Sequence, residues 1–223
     1  MRLDGKIVLI AGGSGALGQT VAPACVRAGA RVITVDRHPP AQVVGMTAMH
    51  ADVTDEADVR RLMHDVIRET GRIDALVNLV GGFAMGRVEE TDASLSHRML
   101  TMNLTAAFLL SKAVLPGMVE RGAGRIVHVA ARAAVEPFPG AAAYIVAKSG
   151  LVALIRTLSL EQAGSGVTVN GILPTTIDTA ANRASMPNAD TSKWVKPDSI
   201  AELVIFLVSP EAGQVNGALI PIG

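Results

Sequence analysis

The sequence predicts a single-domain, doubly wound α/β fold over residues 1–223, with one parallel sheet and helices on both faces. Short runs rich in β-branched residues alternate with longer segments rich in Ala and Leu, as expected of parallel strands joined by helical crossovers. Runs such as Ile-Val-Leu-Ile at residues 7–10 are apolar at every position, which is typical of strands covered on both faces. A chain of 223 residues also fits one domain better than two.

The individual strands and helices follow from local composition. Thr54 is placed to cap a helix that begins with Asp55 and Glu56, whose charges suit the positive end of a helix, and Gly71 follows its last turn. Other helices are predicted near residues 15–28, 94–120, 141–163 and 198–208. The strands are predicted at Lys6–Ala11, Arg31–Val35, Met46–Ala51, Ile73–Leu79, Gly124–Ala130, Val167–Ile172 and Ala218–Ile222.

Composition narrows the range of partners. Twenty basic residues balance twenty acidic ones, so the chain lacks the positive field that binds nucleic acid or an anionic membrane. The single Cys25 excludes an internal disulfide and is predicted to be a core residue. No stretch reaches about 18 uninterrupted apolar residues, because Lys112 and His128 interrupt the best candidates. We therefore expect a cytoplasmic protein that binds neither nucleic acid nor membrane. No metal is predicted, because metal-ligand spacing is absent around His38, His50, His64 and His97.

A glycine-rich turn directly follows the first predicted strand. Its G-x-G-x-x-G spacing is that of a dinucleotide-binding turn between a strand and a helix, as in Rossmann-like folds. Glycine allows the backbone to approach a pyrophosphate, whose charge suits the N-terminus of the helix. A tight turn without a ligand is the alternative. The predicted cofactor-binding residues of this turn are Gly12, Gly13, Ser14, Gly15, Ala16, Leu17 and Gly18.

Acidic residues after the second and third strands indicate how the adenosine half of the cofactor binds. Asp36 stands 18 residues after Gly18, where a carboxylate accepts both ribose hydroxyls of NAD and repels the 2′-phosphate of NADP. Arg37 favours the opposite preference, because a guanidinium binds that phosphate, unless it is a solvated loop charge. Asp52 and Val53 are predicted to meet the adenine, with capping of the following turn as the alternative. NAD(H) is favoured over NADP(H).

The reactive centre is predicted at the only tyrosine of the chain. Tyr144 and Lys148 are four residues apart, so on a helix they share one face. An adjacent ammonium stabilises a phenolate and brings the pKa of the phenol toward the working range of a general acid/base. Such pairs also arise by chance in helices, but this one follows a dinucleotide-binding turn. We therefore predict that Tyr144 transfers a proton.

Together these motifs resemble the short-chain dehydrogenase/reductase family along essentially the whole chain. The resemblance implies an NAD(P)(H)-dependent oxidoreductase that transfers hydride between the nicotinamide and a small carbonyl or quinonoid substrate. It also implies a homodimer or homotetramer built on the helices near residues 94–120 and 141–163. The further matching positions are Asn78-Leu79-Val80-Gly81-Gly82, Asn103, Pro174 and Thr179.

The same resemblance implies roles for individual residues. Tyr144 is the general acid/base, Lys148 lowers its pKa and binds the nicotinamide ribose, and Asn103 supports a proton-relay water. Asn103 alternatively satisfies a helix kink, and Thr179 alternatively caps a helix. His128 is interpreted as structural, because Tyr144 already fills the acid/base role. Cofactor contacts are further implied for Asn78, Val80, Gly81, Pro174, Ile177 and Thr179.

Three positions depart from the family pattern and bear on cofactor binding and catalysis. Ala11 and Ala16 stand where the family usually has Thr and Gly, which alters hydrogen bonding in the pyrophosphate loop. Ala131 stands where the family has its catalytic serine, 13 residues before Tyr144. Losing one donor to a developing oxyanion costs on the order of 10²–10³ in rate. Either another group replaces the serine or the substrate needs less polarisation.

The segment from Leu173 to Trp194 resembles dihydropteridine reductases, members of the family that also have Ala at the serine position. Their quinonoid substrate accepts hydride readily, so a serine is dispensable. Residues 180–197 are therefore expected to form the substrate loop. The alternative is that residues 173–194 form a structural clasp shared by reductases of varied substrates. Substrate contacts are predicted for Ala131, Thr175, Met186 and Trp194.

Three functional hypotheses remain open. The first is a general short-chain reductase, and the second is NADH-dependent reduction of quinonoid dihydropterin. The third is a catalytically silent dinucleotide-binding redox sensor or scaffold, which Ala131 favours and the intact pair of Tyr144 and Lys148 opposes.

Overall fold

Seven parallel strands form one sheet within residues 1–39 and 45–223, which are the residues that the computed structural model describes. Their order across the sheet is β3-β2-β1-β4-β5-β6-β7, so the direction of winding reverses between β1 and β4. In such sheets ligands bind outside the carboxyl ends of the strands at this reversal. The strands are β1 (Ile7–Ala11), β2 (Arg31–Asp36), β3 (Met46–His50), β4 (Ala75–Asn78), β5 (Gly124–Val129), β6 (Val167–Pro174) and β7 (Leu219–Ile222).

Helices cover both faces of the sheet, which confirms the predicted fold class. On one face α2, α4 and α5 pack through residues such as Leu62, Leu110 and Ile155. On the other face α1 and α7 pack through residues such as Val21 and Val204. The helices are α1 (Gly18–Arg27), α2 (Glu56–Thr70), α3 (Ala93–Leu100), α4 (Ala106–Glu120), α5 (Ala142–Glu161), α6 (Ala180–Ser185) and α7 (Pro197–Val208).

The residue that caps α2 was predicted wrongly. Asp55, not Thr54, is the N-cap, and its side chain accepts the N–H of Asp58. Thr54 instead donates from its N–H and its hydroxyl to Asp52. The helix does end at Gly71 as predicted, where φ is +78°. Asp52 caps the turn before the helix, and Asp55 caps the helix itself. The spacing of these carboxylates in the sequence did not show which residue caps the helix.

The helix predicted near residues 94–120 is interrupted. A π-helical turn at Thr101–Thr105 separates α3 from α4, and the buried Asn103 lies inside it. The helix predicted from residue 15 begins only at Gly18, because residues 12–17 form turns. Strand β6 continues two residues beyond its predicted end, to Pro174. Each of these differences lies at the carboxyl edge of the sheet or beside it.

Two helical stretches, Ala93–Glu120 and Ala142–Glu161, have the length and composition of membrane spans. Many of their buried apolar residues, such as Leu110 and Leu151, belong to the core on one face of the sheet. Cys25 is buried in the core on the other face, as predicted, and burial raises the pKa of its thiol to about 12.

Candidate active site

The glycine turn forms a cradle in which Gly13 and Gly18 leave no room for a side chain. Gly12 has a φ of +86°, and its N–H donates to Val35 O at 3.0 Å. A Cβ on Gly18 would lie 2.5 Å from Gly13 O, so the first turn of α1 packs directly on the turn before it. The backbone is therefore exposed to a ligand at the positive end of α1, an arrangement that fits a pyrophosphate.

Asp36 at the end of β2 reaches this turn. Its Oδ2 accepts the N–H of Ser14 at 2.7 Å, so the carboxylate and the cradle are fixed relative to each other. Arg37 is exposed beside it, and its charge contributes to lowering the pKa of Asp52, after the larger effect of the Thr54 hydrogen bond. Asp52 caps the turn that follows it by accepting from Thr54, and its contact with adenine stays a prediction. Buried Val53 belongs to the core under this edge.

A chain of buried polar side chains supports the end of β4. Asn78 Oδ1 accepts the N–H of Val80 at 3.0 Å, and Asn78 Nδ2 lies 3.4 Å from His128 Nδ1. On the other side of the ring, His128 Nε2 lies 3.0 Å from Ser111 Oγ. A neutral imidazole with its proton on Nε2 satisfies both contacts. The predicted structural role of His128 is confirmed, and the side chain of Asn78 is engaged within the sheet.

The buried imidazole predicts a loss of stability in acid. Burial, with a smaller effect of the Lys148 charge, lowers the pKa of His128 from 6.5 to about 3. Above pH 6.5 the ring is neutral in both the folded and the unfolded chain. As pH falls below 6.5, the unfolded chain binds a proton that the folded protein binds only near pH 3, so the free energy of unfolding decreases.

We expect His128→Asn to reduce this pH dependence. The loss of unfolding free energy between pH 7 and pH 5, measured by urea denaturation, should be about 2 kcal/mol smaller than in the wild type. His97→Asn, at an exposed position, is the matched control and should leave the dependence unchanged. Equal pH dependence in wild type and His128→Asn would contradict this prediction.

Lys148, Asn103 and Gly81 meet beside the end of β5. Lys148 is buried, and its Nζ donates to Val129 O at 2.8 Å. A Cβ on Gly81 would lie 3.2 Å from this Nζ and 2.7 Å from Asn103 Oδ1. The absence of a side chain at Gly81 therefore allows the backbone after β4 to touch both predicted catalytic groups. Burial lowers the pKa of Lys148 to about 8.

Asn103 is held from two sides within the π-helical turn. Its Nδ2 donates to Gly82 O and Met99 O, at 3.1 and 3.0 Å, and its Oδ1 accepts the N–H of Gly82 at 3.2 Å. These contacts agree with the alternative role of Asn103, in which its side chain hydrogen-bonds backbone groups at the break in the helix. Through these bonds it also fixes the segment that follows β4.

Tyr144 lies on α5 one turn before Lys148, as predicted. Its ring packs edge-on against Phe83, with centroids 4.9 Å apart and planes at 79°. The expectation that Lys148 lowers its pKa is wrong for the structure as it stands, because burial dominates and raises the pKa of Tyr144 to about 12. Lys148 directs its ammonium to Val129 O, and its own charged form is disfavoured by burial.

Phe83 is a site residue that the sequence analysis missed. It is 58% exposed, although it contacts the only tyrosine. The neighbouring backbone is fixed, because Gly86 N–H donates to Gly140 O at 2.7 Å and Ala142 N–H donates to Gly86 O at 3.2 Å. An aromatic residue two positions after Gly81, in a chain with 3% aromatic residues, was the available signal.

The remaining predicted substrate positions are spread around this edge. Ala131 is buried and precedes a short 3₁₀ turn at Arg132–Ala134. Thr175 and Met186 are exposed, and Trp194 is partly buried. Thr179 caps α6, since its Oγ1 accepts the N–H of Asn182 at 3.2 Å.

The segment after β6 is tied to itself, as the clasp alternative predicts. Val195 N–H donates to Thr176 O, and Asp178 N–H donates to Val195 O, both at 2.8 Å. Asp178 also pairs with Arg183 and Lys196. Among residues 1–39 and 45–223, no group of three His, Cys, Asp or Glu side chains is placed to hold a metal. The expected absence of a metal remains a prediction.

Comparison with known proteins agrees with this geometry. The profile of the family described as short chain dehydrogenase matches residues 6–190. The chain is 33% identical to 2-(S)-hydroxypropyl-CoM dehydrogenase 3 of Xanthobacter autotrophicus, over 97% of this chain and 94% of that protein. It is 35% identical to D-threitol dehydrogenase of Mycolicibacterium smegmatis, over 97% and 91%.

A solved structure of a short-chain dehydrogenase/reductase from Burkholderia xenovorans superposes with a TM-score of 0.92 at 30% identity, over 99% of this chain and 96% of that one. None of these three proteins is a dihydropteridine reductase, so the expected special resemblance to that enzyme is not supported. Part of the segment 173–194, which contributed to that expectation, is bonded to itself as a clasp. The matched profile, the relatives and the shared fold lead to one conclusion. The chain belongs to the short-chain dehydrogenase family and is an NAD(P)-dependent oxidoreductase.

Proposed function

We propose that the protein interconverts a small carbonyl compound and the corresponding alcohol, with Tyr144 as general acid/base. The observation that carries this proposal is the meeting of Lys148, Asn103 and Gly81 one helical turn from Tyr144, at the edge of the sheet that holds the glycine cradle. A bound nicotinamide supplies or accepts the hydride. Tyr144 Oη gives its proton to the carbonyl oxygen in reduction and takes it back in oxidation.

Each neighbouring group prepares one part of this reaction. The backbone of the glycine turn binds the pyrophosphate, and buried Lys148 binds the nicotinamide ribose while Val129 O holds its ammonium. A cationic Lys148 favours the phenolate and so opposes the effect of burial on Tyr144. Because Ala131 offers no hydroxyl, Tyr144 is the one hydrogen-bond donor assigned to the carbonyl oxygen. Phe83 places an apolar surface beside the phenol, which favours substrates with an apolar group next to the carbonyl.

The proposal is tested by following NADH and NADPH oxidation with aryl ketones, aliphatic ketones, quinones and quinonoid dihydropterin, and NAD⁺ reduction with the corresponding alcohols and with polyols. Turnover of at least one carbonyl or alcohol that requires Tyr144 supports it. If the pterin alone is turned over, the substrate is a quinonoid compound and not a carbonyl compound. Tight NADH binding without turnover of any compound would leave only a sensor or scaffold.

We further propose that NAD(H) is preferred over NADP(H), because Asp36 places a carboxylate at the end of β2 beside the glycine turn. Its carboxylate, held by Ser14 N–H, repels the 2′-phosphate of NADP. We expect Asp36→Ala to shift the ratio of the NADPH and NADH dissociation constants by about tenfold toward NADPH. Loss of the Ser14 contact should affect the binding of both cofactors equally and so leave the ratio of their dissociation constants unchanged. Loss of charge repulsion should change that ratio. If Arg37→Gln lowers the affinity for NADPH while Asp36→Ala leaves the ratio unchanged, the preference has been assigned to the wrong residue.

Restoring a hydroxyl at position 131 should assist the reduction of simple ketones. We expect Ala131→Ser to raise kcat for an aliphatic ketone by at least about tenfold, because a second donor to the developing oxyanion is gained. Ala130→Ser, at the neighbouring buried position, is the control and should give no increase. Unchanged or lower kcat in Ala131→Ser would show that another group already fills this role.

We propose that the protein forms a homodimer or homotetramer through α4 and α5. Apolar side chains are exposed on both helices, at Phe108 and Val119 of α4 and at Val146 and Leu160 of α5. A cytoplasmic location is also proposed, supported by a single buried cysteine. Sedimentation analysis would reveal the oligomeric state.

A further inference from the structure

Asp178 joins three separate parts of residues 176–196, which we call the clasp. Its side chain is 9% exposed. It accepts two bonds from Arg183, from Nε to Oδ1 at 2.6 Å and from Nη2 to Oδ2 at 2.9 Å. Its Oδ2 also accepts from Lys196 Nζ. Because Arg183 belongs to α6 and Lys196 immediately precedes α7, one carboxylate ties two helices to the chain that leaves β6.

Further bonds within the clasp fix the two residues that flank Asp178. Ile177 O accepts from Thr179 N–H at 2.9 Å and from Asn182 Nδ2 at 2.8 Å. Ile177 also forms a parallel bridge with Val195. The Thr179 Oγ1 accepts the N–H of Asn182, which leaves its hydroxyl proton free to be donated. Both residues are therefore held in one arrangement by contacts inside the protein.

We infer that Asp178 is a positioning residue, which holds Ile177 and Thr179 in the arrangement that receives the nicotinamide. The inference rests on the proposed function and on the cofactor contacts that the family resemblance implies for these two residues. A site that is already ordered binds its ligand more tightly, because less conformational freedom is lost on binding. The two-cation pairing of Asp178, at a side chain that is almost buried, provides this order.

The test is the charge-removing variant Asp178→Asn, which preserves the size of the side chain. We expect the dissociation constant for NADH, measured by fluorescence, to rise about tenfold. KM for NADH should rise more than kcat falls. Hydrogen exchange at the amides of Asp178 and Val195 should accelerate at least tenfold. Lys193→Gln, at an exposed position of the same segment, is the matched control and should change none of these quantities.

The conservative variant Arg183→Lys, which keeps the charge and loses the two-bond geometry, should give an intermediate effect on both measurements. A lower Tm in Asp178→Asn with an unchanged dissociation constant would reduce Asp178 to a purely structural residue and overturn the inference. Unchanged exchange would overturn it as well. Failure of the wild type to bind NADH or NADPH would instead overturn the proposed function, and with it any role of Asp178 toward the cofactor.

Discussion

Tyr144→Phe should lower kcat/KM about 10³-fold, because the substitution removes the only group assigned to proton transfer. The affinity for NADH should stay within twofold of the wild type, since Tyr144 is assigned no contact with the cofactor. The edge-on contact with Phe83 should also persist, because the variant keeps the ring. Steady-state kinetics on the best substrate of the panel and fluorescence titration of NADH measure the two quantities.

Phe83→Leu is the control for a general disturbance of the site. It alters the surface against which the Tyr144 ring packs and leaves the hydroxyl in place, so it should change KM for the substrate more than kcat. If Tyr144→Phe retains more than a tenth of the wild-type kcat/KM, proton transfer passes through another group. His128 would not qualify as that group, because it is buried and paired with Asn78 and Ser111.

Gly18→Ala should give the second largest effect, on cofactor binding. The added Cβ would lie 2.5 Å from Gly13 O. The clash is with a backbone atom, so no flexible side chain can move away to relieve it. Overpacking of this kind typically costs 1–3 kcal/mol, so we expect the dissociation constant for NADH to rise about 10- to 100-fold. Isothermal titration calorimetry on the folded variant provides the measurement.

The control for this substitution is Gly117→Ala, which lies inside α4. A Cβ there would approach only the end of the flexible Arg121 side chain, at 3.2 Å. The variant should bind NADH normally and be slightly more stable, because Ala favours a helix over Gly. Normal NADH binding by Gly18→Ala would mean that the glycine turn is only a tight connection and that the nucleotide binds elsewhere.

Most of the fold could be predicted because its signals are local. Short apolar runs predicted all seven strands of the sheet to within two residues at every end. The π-helical turn at Asn103 could not be predicted, because it depends on Gly82 and Met99 as partners of one side chain. The cap of α2 was also missed, because Asp55 and not Thr54 accepts the N–H of Asp58, while Thr54 donates to Asp52.

The candidate site divides in the same way. The glycine turn and the pair of Tyr144 and Lys148 could be predicted, because each depends on spacing within one element. The contact of Phe83 with Tyr144 and the link from Ser111 through His128 could not, because they join elements that are distant in the chain. The direction of the Tyr144 pKa shift was also missed, since charge is visible in a sequence and burial is not.

The ionisation of Tyr144 tests the central claim most directly. Because the chain has one tyrosine, protein labelled with ¹³C at tyrosine Cζ gives a single resonance that reports this phenol. Without cofactor, the pKa of Tyr144 should lie far above its usual value of 10, toward 12. With NAD⁺ bound, the added positive charge should bring the titration below pH 10. A resonance that stays in the phenol form up to pH 10 in the saturated NAD⁺ complex would contradict the role of Tyr144 as the acid/base.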